Sequence, residues 1–139
     1  MTDTHRELVA GTGSTPRVSV CIPVYQGERY VAKAIQSALY QTYADIDVVV
    51  LDNASTDGTL AEVCRFSDER LRVVKNDTNL GAAGNFNKAL VEARGAYVKI
   101  LCADDFLYPT CVARQVEVLE ADSAGSIALV TCTREVVDS

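Results

Sequence analysis

From residue 18 onward, apolar runs of strand length alternate with stretches whose apolar positions recur at helical spacing. VSVCIPV (18–24), IDVVVL (46–51), LRVVKN (71–76), AYVKIL (96–101) and IALVTC (127–132) predict five strands. Between them, residues 28–41 bring Val31, Ile35, Ala38 and Leu39 to one helical face. Residues 58–67 predict a short helix with Leu60, Val63 and Cys64 together. Residues 82–94 predict a helix with Phe86, Leu90 and Ala93 inward. A helix begins after Pro109, with Val112, Val116 and Leu119 in register.

Several of the strands are unbroken apolar runs, not alternating ones. Burial on both faces produces that pattern, and β–α–β crossovers produce that burial. Each unit takes roughly 25–30 residues, as a parallel crossover requires. The expected fold is therefore α/β, a parallel doubly wound, Rossmann-like sheet with helices on both faces. Residues 1–17 are polar, carry Gly, Ser, Thr and Pro, and predict a flexible leader before one domain over 18–139. GTGSTP precedes the first strand, so it is no dinucleotide loop.

Composition narrows the partners. The 139 residues are 48% apolar and carry a net charge of −6, a balance that disfavours nucleic acid. An anionic ligand would need local help from a cation, backbone N–H groups or basic side chains. The one histidine, His5, stands in the leader, which excludes His-based catalysis within the fold. The five cysteines form no C-x-x-C pair; Cys21, Cys102 and Cys132 lie in apolar runs and read as small buried side chains of a cytoplasmic protein. No apolar stretch reaches the roughly 18–20 residues of a membrane span.

Ligands of such sheets bind outside the carboxyl ends of the strands. The first strand delivers Pro23 and Tyr25 there, the second Asp52 and Asn53, and the third leads into NDTNLGAAGN (76–85). The fourth ends in Asp104 and Asp105. Ser55, Thr56, Asp57 and Gly58 suffice as a turn and helix cap. Asp52 and Asn53 precede that turn and could pair with the edge of a heterocyclic base. Tyr25 is core wall or, beside that pair, a stacking surface. The glycines of 79–90 fit no phosphate-loop spacing, although a helix start there admits an anion. Asp104 and Asp105 form either a solvated acidic turn or ligands to Mg²⁺ or Mn²⁺, which take one or two protein oxygens and complete their shell with diphosphate and water.

The blocks VSVCIPVYQGERYVAKAIQSALYQT, VVVLDNASTDGT, NLGAAGNFNKAL and YVKILCADDFLYP, in this order over about residues 17–135, resemble the family-2 glycosyltransferases of GT-A fold. The resemblance implies inverting transfer of a sugar from a nucleotide-sugar, a UDP-sugar above all, to the hydroxyl of a glycan, a lipid-linked sugar or another acceptor. It implies a donor site of Pro23, Tyr25, Asp52, Asn53, Asn87 and Asp104, and a divalent cation, Mn²⁺ or Mg²⁺, on Asp105 and Asp104. It implies a role in polysaccharide biosynthesis in the cytoplasm, at the inner face of the membrane for the full-length protein.

Departures from the family pattern bear on this reading. Many members have Asp where Cys102 stands, a second Asp where Asn53 stands, and Arg where Phe86 stands, so no phosphate-binding arginine is carried over. Family enzymes continue for another hundred residues or so, which supply the acceptor site and the catalytic base. The expectation is thus a donor-binding half of the GT-A domain, incomplete relative to the full enzyme, with its base beyond residue 139. The alternative is a non-catalytic nucleotide-binding or regulatory module. A phospho-accepting receiver would carry its acidic pair after the first strand, and a sugar nucleotidyltransferase its glycine loop there; neither is present.

Overall fold

The computed structural model describes residues 15–137. Its elements are β1 (Val18–Val24), α1 (Val31–Leu39), β2 (Ile46–Asp52), α2 (Thr59–Val63), β3 (Leu71–Lys75), α3 (Gly81–Glu92), β4 (Tyr97–Ile100) and α4 (Cys111–Ala121). The strands form one parallel sheet in the order β3-β2-β1-β4. Every residue of β1 and β2 is buried, as their unbroken apolar runs demand.

Side chains alternate across a strand, so β1 and β2 feed two cores. Val20, Ile22, Val48 and Val50 pack with Val31, Ala34, Ile35 and Ala38 of α1, Val63 of α2, and Val112 and Val116 of α4. On the other face, Cys21, Val49 and Leu51 meet Ala89 of α3. The sheet is thus doubly wound, with α3 alone on its second face. The chain runs outward from β1 through β2 to β3. Then α3 carries it back to β4 on the far side of β1. That reversal puts the topological switch point between the carboxyl ends of β1 and β4, the place where ligands of such sheets bind.

Pro23 marks where β1 and β4 part. The β1–β4 ladder runs from Val18↔Tyr97 to Cys21↔Ile100, closed by a bond from Leu101 N to Cys21 O of 2.9 Å. Two residues on, Pro23 has no N–H with which to extend it. β1 continues with β2 alone, up to Val24↔Asp52.

Four expectations are corrected, the first being cysteine burial: Cys132, in a segment that pairs with no strand, is exposed, and Cys102 is only half-buried. Phe86 and Leu90 are 39% and 55% exposed, and α3 buries Asn85 and Ala89 instead, with Ala93 half-buried. Asn85 is inward because its Nδ2 donates to Leu51 O at 2.9 Å. On α2, Val63 is buried beside Thr59, while Cys64 faces solvent. Residues 127–132 form no fifth strand. A strand needs a neighbouring edge to take its N–H and C=O groups. Here Gly125 turns the chain at φ 63, and the Asp122 carboxylate takes Ile127 N at 2.6 Å. Gln115 Nε2 of α4, not the β4 edge, reaches Val130 O.

Of the expected leader, residues 1–14, including His5, lie outside the described residues. Arg17 is held: its guanidinium pairs with Glu120 of α4 and sits 4.9 Å from the centroid of the Tyr97 ring. Among the described residues, no helix is long and apolar enough to cross a membrane.

Candidate functional site

Four loops meet at the carboxyl edge of the sheet. The loops after β1 and β2 are zipped together. Gln26, at φ 53, accepts Thr56 N and Asp57 N on its Oε1 at 2.8 and 3.1 Å. Its own N–H donates to Ser55 Oγ at 3.0 Å, and Gly27 N donates to Thr59 Oγ1 at 2.8 Å. Gly58 N closes the seam on Glu28 Oε2 at 3.1 Å. A Cβ on Gly27 would lie 2.3 Å from Val24 Cγ2, so this approach requires glycine. Residues 55–59 form the turn their composition suggests, with Asp57 Oδ1 accepting Thr59 N at 3.0 Å, while the N-cap position of α2 is Gly58, without a side-chain cap. Tyr25 precedes the seam and stands 53% exposed, free to present its ring to a ligand. Pro23 beneath it is buried.

Behind the seam lies a network of asparagines. Asn53 Oδ1 accepts from Asn76 Nδ2 and from Leu80 N, each at 2.9 Å. Asn53 Nδ2 donates to Asn79 Oδ1 at 2.8 Å and Gly81 O at 3.2 Å. Asn76 Nδ2 also donates to Asn85 Oδ1 at 3.0 Å. The Asn53 amide is thus buried and fully committed to the loop that leads into α3. Asp52 beside it is completely buried; its Oδ2 accepts Ser55 N at 3.3 Å. Asp52 Oδ1 and Asn76 Oδ1 are buried acceptors without a protein partner. Burying an acceptor unpaired is costly, and both atoms are closed off from the surface.

The acidic turn stands on the β4 side of the switch point. Asp105 N donates to Cys102 O at 3.0 Å, which folds residues 102–105 back on themselves. Cys102 Sγ and one carboxylate oxygen each from Asp104 and Asp105 lie within 4.8 Å of one another. That spread is close to twice a metal–ligand bond of about 2.0–2.4 Å, so the donor set fits one divalent cation. Burial pushes the Cys102 thiol up, and the charges of Asp105 and Asp104 push it further.

Elements around α1 clamp the turn. Leu107 N donates to Ser37 Oγ at 3.0 Å, and Lys33 Nζ sits 4.2 Å from the centroid of the Phe106 ring. Gln41 Nε2 donates to Tyr108 O at 2.9 Å while its Oε1 accepts Val112 N at 3.0 Å.

Of the sequence-predicted residues, the fold brings Tyr25, Asp52, Asn53, Asp104 and Asp105 to one edge. Asn87 is exposed on the second turn of α3. Sequence reasoning missed Gln26, Asn76, Asn79 and Asn85. The available signal was amide-bearing residues repeated at the ends of two neighbouring strands.

Comparisons with known proteins bear on the family and the fold. The profile of the family described as Glycosyl transferase family 2 matches residues 19–137. The chain is 34% identical over 105 residues to UDP-Glc:alpha-D-GlcNAc-diphosphoundecaprenol beta-1,3-glucosyltransferase WfaP of Escherichia coli. That match covers 76% of this chain and 42% of the relative. The crystal structure of S. aureus TarS 1-349 in complex with UDP superposes with a TM-score of 0.70 at 29% identity, over 76% of this chain and 32% of that one. The mannosyltransferase PcManGT from Pyrobaculum calidifontis, in complex with GDP-Man and Mn²⁺, superposes with a TM-score of 0.69 at 32% identity. There the coverage is 86% of this chain and 37% of the other. The chain spans less than half the length of each of these three proteins.

Proposed function

The chain belongs to glycosyl transferase family 2, and on that premise we propose that its strand-end edge binds the nucleotide-diphosphate-sugar donor of an inverting, metal-dependent transfer to an acceptor hydroxyl. The observation that carries the reading is what stands at the switch point between the carboxyl ends of β1 and β4. An exposed aromatic, Tyr25, flanks it on one side, and a turn with a cation-fitting donor set, Cys102 to Asp105, flanks it on the other.

Each residue has a part in this reading. Tyr25 stacks on the base, above the buried Pro23. Asp52, buried at the end of β2, is assigned to the nucleoside side of the site. Asn53 acts as a positioning residue, holding residues 79–81 against the end of β2. Asp104 faces ribose and diphosphate, Asp105 holds the cation, and Asn87 contributes from α3. A divalent cation bound there would neutralise the diphosphate and stabilise it as a leaving group. That neutralisation would answer the acidic balance of the chain, whose net charge is −6.

A UDP-linked donor is favoured, since the TarS neighbour holds UDP. Mn²⁺ accompanies the nucleotide-sugar in PcManGT, which supports a cation here. We assign the acceptor to a hydroxyl of a lipid-linked sugar, the kind of acceptor in the name of the E. coli relative. Such an acceptor would bring the protein to the inner membrane surface. Inversion needs a base on the acceptor hydroxyl, opposite the leaving diphosphate; we assign none among residues 15–137.

Calorimetry with UDP tests the reading. Binding is expected to be strengthened by Mn²⁺, and Asp105→Ala is expected to abolish that strengthening while the circular dichroism stays unchanged. Equal Mn²⁺-dependent affinity in the variant would overturn the metal assignment.

A further inference from the structure

We propose that Cys102 Sγ is a direct ligand of the cation at the 102–105 turn, and that this thiolate-bearing donor set selects borderline ions such as Co²⁺ and Zn²⁺ over Mg²⁺. The inference rests on the reading of that turn as the metal site and deepens it.

Position is the first support. Cys102 follows directly on Leu101, whose N–H closes the ladder on Cys21 O at 2.9 Å. Its backbone is therefore fixed by the sheet, whereas Asp104 and Asp105 stand exposed two and three residues farther out. The bond from Asp105 N to Cys102 O brings the ends of the turn together. Cys102 is half-buried while Asp104 and Asp105 are exposed, and the three donor atoms lie within 4.8 Å of one another.

Environment is the second support. Cys21 differs: its Sγ donates to Ala89 O at 3.5 Å within the core. The Cys102 sulfur instead shares a 4.8 Å cluster with two carboxylate oxygens, close enough for all three to reach one ion. On binding, the thiol proton leaves to solvent and the sulfur lone pair forms the bond to the metal, with no change of oxidation state. Oxygen-only sets suit Mg²⁺, which demands a small octahedral shell; sulfur is larger and softer and shifts preference toward later divalent ions.

The test is spectroscopic. Co²⁺ is titrated into the 139-residue chain in the presence of UDP. A near-ultraviolet thiolate-to-cobalt charge-transfer band is expected alongside the visible cobalt bands. Cys102→Ser is expected to lose the former and keep cobalt binding. A Cys64→Ser/Cys132→Ser variant, lacking the two exposed thiols, is expected to retain both. Cys102→Asp is expected to lower the Zn²⁺-to-Mg²⁺ affinity ratio, since a hard oxygen replaces the softer sulfur. Cobalt bound at one equivalent without charge transfer, or charge transfer surviving Cys102→Ser, would overturn the thiolate assignment and leave the carboxylate site standing. Failure of any divalent ion to bind would overturn both.

Discussion

Asn53 Oδ1 accepts a hydrogen bond of 2.9 Å from Asn76 Nδ2, joining the residue that follows β2 to the residue that follows β3. The same oxygen takes Leu80 N, and the same amide donates to Asn79 and Gly81. Asn53→Ala removes all four bonds at a site that is 2% exposed. Buried groups left unpaired cost about 1–3 kcal/mol. The expected loss is about 2–3 kcal/mol by urea denaturation. A loss below about 0.5 kcal/mol, the range of ordinary surface changes, would mean that the network does not hold the loop.

Tyr25 is the exposed counterpart of that network. Base–aromatic stacking is worth about 1–3 kcal/mol per base by alanine substitution. Tyr25→Ala is therefore expected to weaken UDP binding by about five- to a hundredfold and to leave pyrophosphate binding in Mn²⁺ unchanged. Tyr25→Phe is expected to retain UDP affinity. Equal losses for UDP and pyrophosphate would remove the stacking role.

At the opposite end of the strands, Arg72 Nε donates to Asp47 Oδ2 at 3.2 Å, and Ser19 Oγ donates to Asp47 Oδ1 at 2.5 Å. Arg72 Nη2 also reaches Glu92 O at 2.8 Å. Arg72 and Asp47 are both buried. Removing one partner of a buried ion pair costs about 3–5 kcal/mol, because the other charge is left uncompensated. Arg72→Met is expected to lose that much in urea. Adding Asp47→Asn is expected to restore part of it by removing the stranded charge. UDP affinity of the folded protein is expected to be unaltered in both.

The sheet was legible because its strands are buried on both faces, and that leaves unbroken apolar runs such as Val48 to Leu51. The site's outline was legible because strand ends alone predict which residues share an edge. The α3 face was not. A helical wheel ranks Phe86 above Asn85, but the end of β2 presents Leu51 O, and only a polar side chain can answer it. Residues 127–132 resemble a strand in composition, yet pairing is a property of two segments, and Asp122 intercepts the turn before a ladder begins. The asparagine network was invisible for the same reason. Residues 53, 76, 79 and 85 acquire meaning only once β2 and β3 lie side by side.

Cys21 gives the protein an alkaline signature. Burial pushes its thiol from 9.0 up to about 12; the nearby Asp47 charge adds to the effect and Arg72 opposes it. Above about pH 9 the unfolded chain releases this proton while the folded protein keeps it. Unfolding is then favoured by each further rise in pH, until the folded thiol ionises near 12. The contribution is intact below about pH 9 and is lost across the window from there to about 12. Cys21→Ala is expected to cost stability at neutral pH through the cavity it leaves. It should also flatten the decline in urea stability on the alkaline side relative to the parent, because tyrosine and lysine titrations are common to both proteins. The same burial should protect Cys21 from iodoacetamide at pH 8, with the exposed Cys64 and Cys132 labelled first. Peptide mass spectrometry after a short pulse checks this. Labelling of Cys21 as fast as Cys64 in the native protein would show that α3 does not stay closed over the second face of the sheet.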